Sequence, residues 1–220
     1  MCGRFSQSKS KQDVKKRFNL KKIPDNLEPL FNIAPQRDIL AILNETPDEL
    51  SYVRWGLIPS WSKEEKTPYS MINARAETIT EKPTYKRLIK SKRCLIIADS
   101  FFEWKVVSLK KAPYRIMMKD EGLFAFAGIW DSWEKEGVTI KSCSIITTSP
   151  NELVANIHDR MPVILKQEQE ELWLKEDNLD NVVSMLHAYP KESMQAYPIK
   201  PLVNSPTNNT AEVFERLDSI

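Results

Sequence analysis

Short strand-like segments dominate this chain, and they do not alternate regularly with helices. Most are rich in β-branched or aromatic residues and are bounded by Gly, Pro, Asp or Ser. They cover residues 39–44, 51–55, 71–76, 94–98, 101–107, 114–118, 124–130, 138–148 and 194–199. Because a doubly wound parallel sheet needs a helix between successive strands, this order argues against that fold. It predicts an α+β fold, in which flanking helices surround a mixed, mainly antiparallel β core that is curved or barrel-like.

The remaining segments are predicted to be helices and connections. Helical patterns occur at residues 13–18, 83–91, 167–174 and 179–188. Residues 21–36 contain three prolines and are predicted to form a long extended connection. The polar residues 204–210 are expected to run over the surface. The length of 220 residues favours one domain that spans residues 1–220.

The charges are nearly balanced, since 32 basic and 30 acidic residues give a net charge of +2. No bulk field therefore draws the protein to nucleic acid or to a membrane, and a site for a polyanion must be a local cluster. The lysine-rich runs are interleaved with apolar residues, as on solvated faces. No membrane-length apolar run and no signal-peptide core are present, so we expect a cytoplasmic protein without a membrane partner.

The three cysteines and two histidines do not form a metal-binding pattern. Cys94 and Cys143 lie in strand-like runs, which predicts small buried side chains and no disulfide framework. The histidines are far apart, and no Cys-x-x-Cys pattern is present. We therefore expect no metal and no cofactor.

A cysteine occupies the second position of the chain. Methionine is usually removed when the next side chain is small, so we expect Cys2 to become the amino terminus, with an amine and a thiol on adjacent carbons. This pair captures aldehydes, because the amine condenses to an imine and the thiol then closes a thiazolidine ring. A cysteine at this position also occurs without any function, and the other segments must decide between the two interpretations.

Two charged segments could contribute to a polyanion site. Arg4 is two residues from Cys2 on a predicted strand, hence on the same face, and can hold a phosphate. Asn73, Arg75 and Glu77 alternate with alanines, so a strand would project all three from one face. That face is either a solvated surface or a hydrogen-bonded polar network.

Three further positions bear on chemistry. Glu103 lies among aromatic residues, where burial would raise the pKa of its carboxyl toward that of a general acid or base near neutrality. His158 is flanked by charge and by a proline-terminated turn, which favours a functional role over the structural role expected for His187. Trp55 and Trp61 flank a short loop and form either a stacking shelf for bases or part of the core.

Six short motifs carry a family resemblance. They are Met-Cys-Gly-Arg-Phe at 1–5, Asn-Ile-Ala-Pro at 32–35, Trp-Gly-Leu-Ile-Pro at 55–59, Asn-Ala-Arg-Ala-Glu-Thr at 73–78, Phe-Glu-Trp at 102–104 and His-Asp-Arg-Met-Pro at 158–162. They occur in the same order as in the SRAP family, the SOS response-associated peptidase-like, abasic-site processing proteins. The chain resembles a bacterial or phage-type member over essentially its whole length. Where many members have glycine before the aromatic pair, this chain has Ser100, so the backbone there must suit a residue with a side chain.

The resemblance implies a sensor of abasic sites in single-stranded DNA that shields the lesion in the DNA damage response. Its covalent, reversible thiazolidine would form through Cys2, with slow release and weak lyase activity from the imine as side reactions. The implied catalytic residues are Cys2, Asn73, Glu103 and His158, and the implied DNA-binding residues are Arg4, Pro35, Trp55, Arg75 and Arg160. We expect a monomer that associates with the nucleoid when it is bound to DNA.

Two other classes of function remain open at this point. An N-terminal-nucleophile cysteine peptidase would also expose Cys2, and it would remove Met1 by itself. A non-catalytic single-strand binding module would bind abasic and intact strands equally. The peptidase predicts peptide cleavage in trans without a DNA adduct, and the binding module predicts that Cys2→Ala changes nothing.

Overall fold

The computed structural model describes residues 2–65 and 71–217 of the chain. The strands in these ranges are β1 (Phe5–Gln7), β2 (Leu30–Ile33), β3 (Asp38–Leu43), β4 (Leu50–Trp55), β5 (Asn73–Arg75), β6 (Arg93–Ala98), β7 (Ser100–Val107), β8 (Lys110–Met118), β9 (Phe124–Lys135), β10 (Val138–Thr148), β11 (Met161–Pro162), β12 (Ile164–Leu165) and β13 (Met194–Pro198). The α-helices are α1 (Lys11–Arg17), α2 (Pro83–Ser91), α3 (Glu152–Ala155), α4 (Gln167–Lys175) and α5 (Leu179–Ser184). Short 3-10 helices cover Ala76–Thr78, Lys191–Ser193, Pro201–Asn204 and Ala211–Phe214.

Five strands close into a barrel in the order β4, β3, β6, β9 and β10, with β10 returning to β4. Neighbouring strands are antiparallel except for β10 and β4, which are parallel. β5 extends the barrel by pairing in parallel with β10 beyond the end of β4. The prediction of an α+β fold with a mixed, mainly antiparallel and barrel-like core is confirmed.

A second sheet in the order β13, β8, β7, β1 and β2 packs on the barrel. β1 lies between β7 and β2, so the start of the chain is held on both sides. The buried Gln7 side chain fastens β1 to the barrel, because its amide donates to the carbonyls of Leu40 (3.0 Å) and Ile97 (2.7 Å) and its oxygen accepts from the Leu40 N–H (3.0 Å). The beginning of β1 is therefore fixed in space.

The apolar residues of each barrel strand face two different cores. On β3, Ile39 and Ala41 belong to the cluster between the barrel and the second sheet, whereas Leu40 belongs to the cluster under the helices. Side chains on a strand alternate between faces, so a strand covered on both sides is apolar at every position. This double cover explains why the strand signals in the sequence are continuous apolar runs.

Most of the predicted strands are present, and the main difference lies in the proline-rich connection. Residues 30–33 of that connection form β2, which pairs with β1 at the edge of the second sheet. A strand of four residues carries too little periodicity to be detected locally. The predicted helix at 179–188 ends at Ser184, and Cys94 and Cys143 are buried free thiols as predicted. No helix in the described ranges is long and apolar enough to cross a membrane.

Candidate active site

Four separate elements bring the predicted catalytic residues together. Pairing of β1 with β7 places the residues before Phe5 alongside residues 102–104, and the Phe102 N–H donates to the Arg4 carbonyl over 2.9 Å. The Asn73 side chain at the start of β5 donates to the Cys2 carbonyl over 2.9 Å. These contacts join the amino-terminal segment to the barrel and to β7.

Cys2 is completely buried. Burial raises the pKa of its thiol well above the usual range, and the nearby negative charge of Glu103 adds to the effect. The thiol is therefore protonated near neutral pH and needs a base before it can act as a nucleophile. Met1 lies outside the described residues.

Glu103 is buried in the middle of β7, and only 3% of its surface is exposed. Burial raises the pKa of its carboxyl to about 7, as the sequence predicted. Both the acid and the carboxylate are then populated near neutrality, which suits a group that gives and takes protons. Because the charge of Glu103 acts on the Cys2 thiol, Glu103 is the candidate base for that thiol.

His158 lies in the turn that follows α3 and faces Glu103, with 3.8 Å between Nε2 and Oε2. The Arg160 N–H donates to Nδ1 over 3.0 Å, so in the neutral ring the proton is assigned to Nε2, on the side of Glu103. The exposed Asp159 carboxylate lies 3.0 Å from Nδ1 and would accept from it only in the protonated ring. Burial lowers the pKa of His158, which favours the neutral ring at neutral pH.

The polar residues of the segment 73–78 divide between a network and the solvent. The buried Asn73 Oδ1 accepts no hydrogen bond from the described residues, although its Nδ2 is used. Arg75, the last residue of β5, is exposed. Glu77 lies in the 3-10 helix that follows, not in the strand as predicted, and forms a bidentate ion pair with Arg160 (2.6 and 2.9 Å).

Arg4 and Arg160 are both partly committed to protein acceptors. Arg4 precedes β1, and its Nη1 donates to Asn32 Oδ1 (2.8 Å) and to the Val203 carbonyl (2.6 Å). The charge of Arg160 is matched by Glu77, so its positive field is weaker than the sequence implied. In each arginine the buried Nε has no hydrogen-bond partner among the described residues.

The candidate site opens into a cleft of about 470 Å³. Its lining residues are Glu103, Trp104, Lys111, His158 and Asn204. The Trp104 Nε1 donates to Asn204 Oδ1 over 2.7 Å, which joins β7 to a segment one hundred positions away in the chain. Sequence reasoning did not identify Lys111 or Asn204, because neither lies in a motif and the fold alone places them at the cleft.

The assignment of Trp55 to a base-stacking wall is corrected by the structure. Its ring is completely buried, packs edge-on against Phe5 at a centroid distance of 5.0 Å, and donates from Nε1 to the Ile72 carbonyl over 2.9 Å. Of the two alternatives for this residue, the core is the one observed. Trp61, in contrast, is 70% exposed, and Pro35 is half-buried in the turn after β2.

Ser100 is accommodated without backbone strain. It belongs to β7 and does not adopt a positive φ. Its hydroxyl lies 2.6 Å from that of Ser6 and accepts from Arg115 Nε over 2.9 Å. The side chain at this position therefore takes part in a buried polar network with Ser6 and Arg115.

Comparison with known proteins decides the family. The family model described as SOS response associated peptidase (SRAP) matches residues 1–206. The chain belongs to the SRAP family. Among curated SRAP relatives, the abasic site processing protein YoqW of Bacillus subtilis (strain 168) is 48% identical over 98% of this chain and 99% of its own length. The abasic site processing protein HMCES of Xenopus tropicalis is 31% identical over 96% of this chain and 77% of its own length.

The SRAP fold of this chain also matches solved structures. A protein from Bacteroides thetaiotaomicron superposes with a TM-score of 0.89 at 33% identity, covering 98% of this chain and 100% of that one. A protein from Bordetella bronchiseptica superposes with a TM-score of 0.81 at 25% identity, covering 90% of this chain and 100% of that one. The fold of this chain is thus shared with solved structures over 90–98% of its length.

Proposed function

We propose that this SRAP protein processes abasic sites in single-stranded DNA by forming a covalent thiazolidine between Cys2 and the ring-opened sugar. The observation that carries the proposal is the buried carboxyl of Glu103. Its pKa is about 7, and its charge acts on the protonated thiol of Cys2. Such a pair suits stepwise proton transfer at neutral pH. The names of the curated relatives support abasic DNA as the substrate class.

The reaction requires the α-amine of Cys2 and therefore removal of Met1. The neutral amine attacks the aldehyde carbon C1, a C–N bond forms, and one water leaves as the imine is made. The Cys2 thiol then adds to the imine carbon, its proton passes to the Glu103 carboxylate, and the imine nitrogen is protonated in turn. One water is lost overall, no electron donor or acceptor is needed, and the reverse sequence releases the DNA.

His158 and Asn73 suit the opening and orientation of the sugar. The neutral His158 ring can donate from Nε2 to the ring oxygen of the closed hemiacetal as that ring opens. The Asn73 Oδ1 is a buried acceptor whose hydrogen-bonding capacity is unused among the described residues, and a sugar hydroxyl would satisfy it. The Asn73 amide would also hold the Cys2 backbone in place during the attack.

Binding of the strand would rest on phosphate contacts and base stacking. Arg4, Arg75 and Arg160 are the proposed phosphate ligands, and Trp61 with Pro35 replaces Trp55 as the proposed stacking surface. Neither type of contact reads base edges, so binding would be tolerant of sequence.

Denaturing electrophoresis and intact-mass measurement test the proposal. Protein shown to begin at Cys2 is mixed with a single-stranded oligonucleotide that contains one abasic site. The expected product is a 1:1 adduct with the summed mass less one water, absent with Cys2→Ala and slowed by about a hundredfold or more in Glu103→Gln. Absence of an adduct with the wild-type protein, or equal adduct with Cys2→Ala, would overturn the proposal.

The same reaction separates the rival functions. Cleavage of added peptides without a DNA adduct would instead indicate an N-terminal-nucleophile peptidase, as the family description suggests. Equal binding of abasic and intact strands by wild type and Cys2→Ala, again without an adduct, would indicate a binding module. Strand cleavage at the lesion measures the weak lyase reaction, which fast ring closure should suppress.

A further inference from the structure

Asn32 is completely buried, and its whole side-chain amide is engaged. Its Oδ1 accepts from Arg4 Nη1 over 2.8 Å. Its Nδ2 lies 2.9 Å from the carbonyls of Ser205 and Asn208 and 3.3 Å from that of Val203. An apolar side chain of the same size could fill this space, but it could not bond to Arg4 and to the three carbonyls, so the site requires an amide.

The carbonyls belong to one segment, residues 201–209, which we name the C-terminal strap. The strap begins with the 3-10 helix Pro201–Asn204, and its residue Asn204 lines the cleft and accepts from Trp104. Arg4 also donates to the Val203 carbonyl of the strap over 2.6 Å. Asn32 therefore holds both Arg4 and the strap, and it fixes their positions relative to one another.

Asn32 cannot touch DNA itself, because none of its surface is exposed. Its effect must pass through Arg4, a proposed phosphate ligand, and through Asn204 on the cleft wall. A guanidinium whose Nη1 is held by two acceptors presents its charge in one orientation before the ligand arrives. Ordering such a side chain in advance removes an entropy cost from binding.

We propose that Asn32 is a positioning residue of the DNA site, which presets the Arg4 guanidinium and the C-terminal strap for the incoming phosphate chain. The inference rests on the proposed function. It assigns a task to the motif Asn-Ile-Ala-Pro and to a segment near the end of the chain, neither of which contributes to the bond-forming chemistry.

The test compares Asn32→Asp with Asn44→Asp. Aspartate at position 32 keeps an acceptor for Arg4 but loses both N–H donors and sets a carboxylate against strap carbonyls. Asn44 is the matched control, because its amide also donates to a carbonyl, that of Ser91 (3.0 Å), and accepts from Trp130 Nε1 (3.0 Å), with no hydrogen bond to Arg4 or the strap among the described residues. The readouts are the DNA concentration for half-maximal adduct rate and the adduct rate with glyceraldehyde, a small aldehyde without phosphates.

We expect Asn32→Asp to raise the half-saturating DNA concentration about tenfold or more, because the new carboxylate neutralises the charge of Arg4 and no longer holds the strap, with the glyceraldehyde rate within about twofold of wild type. Asn44→Asp should change neither readout by more than about twofold. In a double-mutant cycle, Asn32→Asp should add little to Arg4→Gln, because it acts through Arg4. Melting temperatures show that each variant is folded, and Asn32→Ser serves in place of an unfolded Asn32→Asp.

The outcomes separate the two proposals. A wild-type protein that forms no adduct with abasic DNA refutes the proposed function, whatever Asn32 does. A wild-type protein that forms the adduct, with a folded Asn32 variant that saturates at the same DNA concentration, overturns the positioning role. Full additivity of the two substitutions in the cycle would overturn it as well.

Discussion

At the scale of single residues, Glu103 combines a proposed chemical role with a cost in stability. Its carboxyl has a pKa of about 7 in the folded protein, against about 4.3 in an unfolded chain. The folded state thus binds the proton more tightly, so the stability that this group contributes is complete below about pH 4.3 and is lost as the pH rises through about 7. A charged Glu103 opposes folding at alkaline pH.

Glu103→Gln is therefore expected to raise the melting temperature relative to wild type at about pH 8.5 and to have little effect at about pH 4. The difference in unfolding free energy at alkaline pH is on the order of 4 kcal/mol, as an upper bound. Asp25→Asn, whose side chain is fully exposed, is the control and should change the unfolding free energy by no more than about 0.5 kcal/mol at either pH. A glutamine variant less stable than wild type at both pH values would contradict the buried-charge argument.

Trp61 is the residue whose exposure makes it the candidate for base stacking. Trp61→Ala should weaken non-covalent binding of intact single-stranded DNA by about 1–3 kcal/mol, with the melting temperature unchanged because the ring is 70% exposed. Leu172→Ala on α4 removes another exposed apolar side chain, 53% exposed, and should leave the affinity unaltered. Fluorescence anisotropy measures both, and equal affinities of wild type and Trp61→Ala would remove this residue from the site.

At the scale of elements, the barrel depends on close approach between two of its strands. Gly128 of β9 pairs with Cys94 of β6, and a Cβ added to Gly128 would lie 2.8 Å from Cys94 Sγ and 2.8 Å from Ile96 Cδ1. Real Cβ contacts are essentially never that short, so the Cys94 and Ile96 side chains, or the strands that carry them, would have to shift. Glycine at this position is required by space inside the barrel.

Gly128→Ala should accordingly lower the free energy of unfolding by about 1–3 kcal/mol, as overpacking does. Cys94→Ala makes room at the contact, so the double variant should be less destabilised than the sum of the two single changes. Chemical denaturation of the four proteins measures the coupling. Strict additivity would show that the sulphur does not limit the approach of the strands.

The elements also show how far sequence reasoning extends. Strands such as β3 and β6 were predictable, because their apolar residues continue over both faces. The roles of Trp55 and Trp61 were not predictable, since Trp55 ends an apolar strand, Trp61 follows a short loop, and the burial of Trp55 depends on its packing against Phe5 of the second sheet. Glu103 was predicted as a buried acid from its aromatic neighbours alone.

The residues that line the cleft could not be predicted from local sequence patterns, because they come from distant parts of the chain. Asn204 accepts a hydrogen bond from Trp104, which is one hundred positions away in the chain, and no pattern in residues 204–210 predicts that contact. Similarly, the bidentate pairing of Glu77 with Arg160 joins two motifs that the sequence presents as separate basic and polar patterns. Long-range contacts of this kind are set by sheet topology, which the sequence constrains only as a class.

At the scale of the whole molecule, a net charge of +2 supplies no general attraction for DNA. Affinity for the proposed DNA strand must then come from a small number of cations that neighbour the proposed catalytic residues in the chain. For single strands each phosphate contact contributes roughly −0.7 to the slope of log affinity against log salt concentration. Three contacts, from Arg4, Arg75 and Arg160, predict a slope of about −2 for the non-covalent complex.

Arg75→Gln should reduce that slope to about −1.4, because one phosphate contact is lost, while sequence tolerance is retained. Lys175→Gln on α4 is the control, since its amine is already paired with Glu171 (2.6 Å) and should not alter the slope. Anisotropy titrations of the wild type and both variants at four or more salt concentrations give the slopes. A wild-type slope near zero, or equal slopes for wild type and Arg75→Gln, would mean that stacking and not charge holds the strand. A wild-type slope of about −1.4 would instead mean that two arginines, Arg4 and Arg75, contact phosphates. Arg160 would then keep its ion pair with Glu77 when the strand binds.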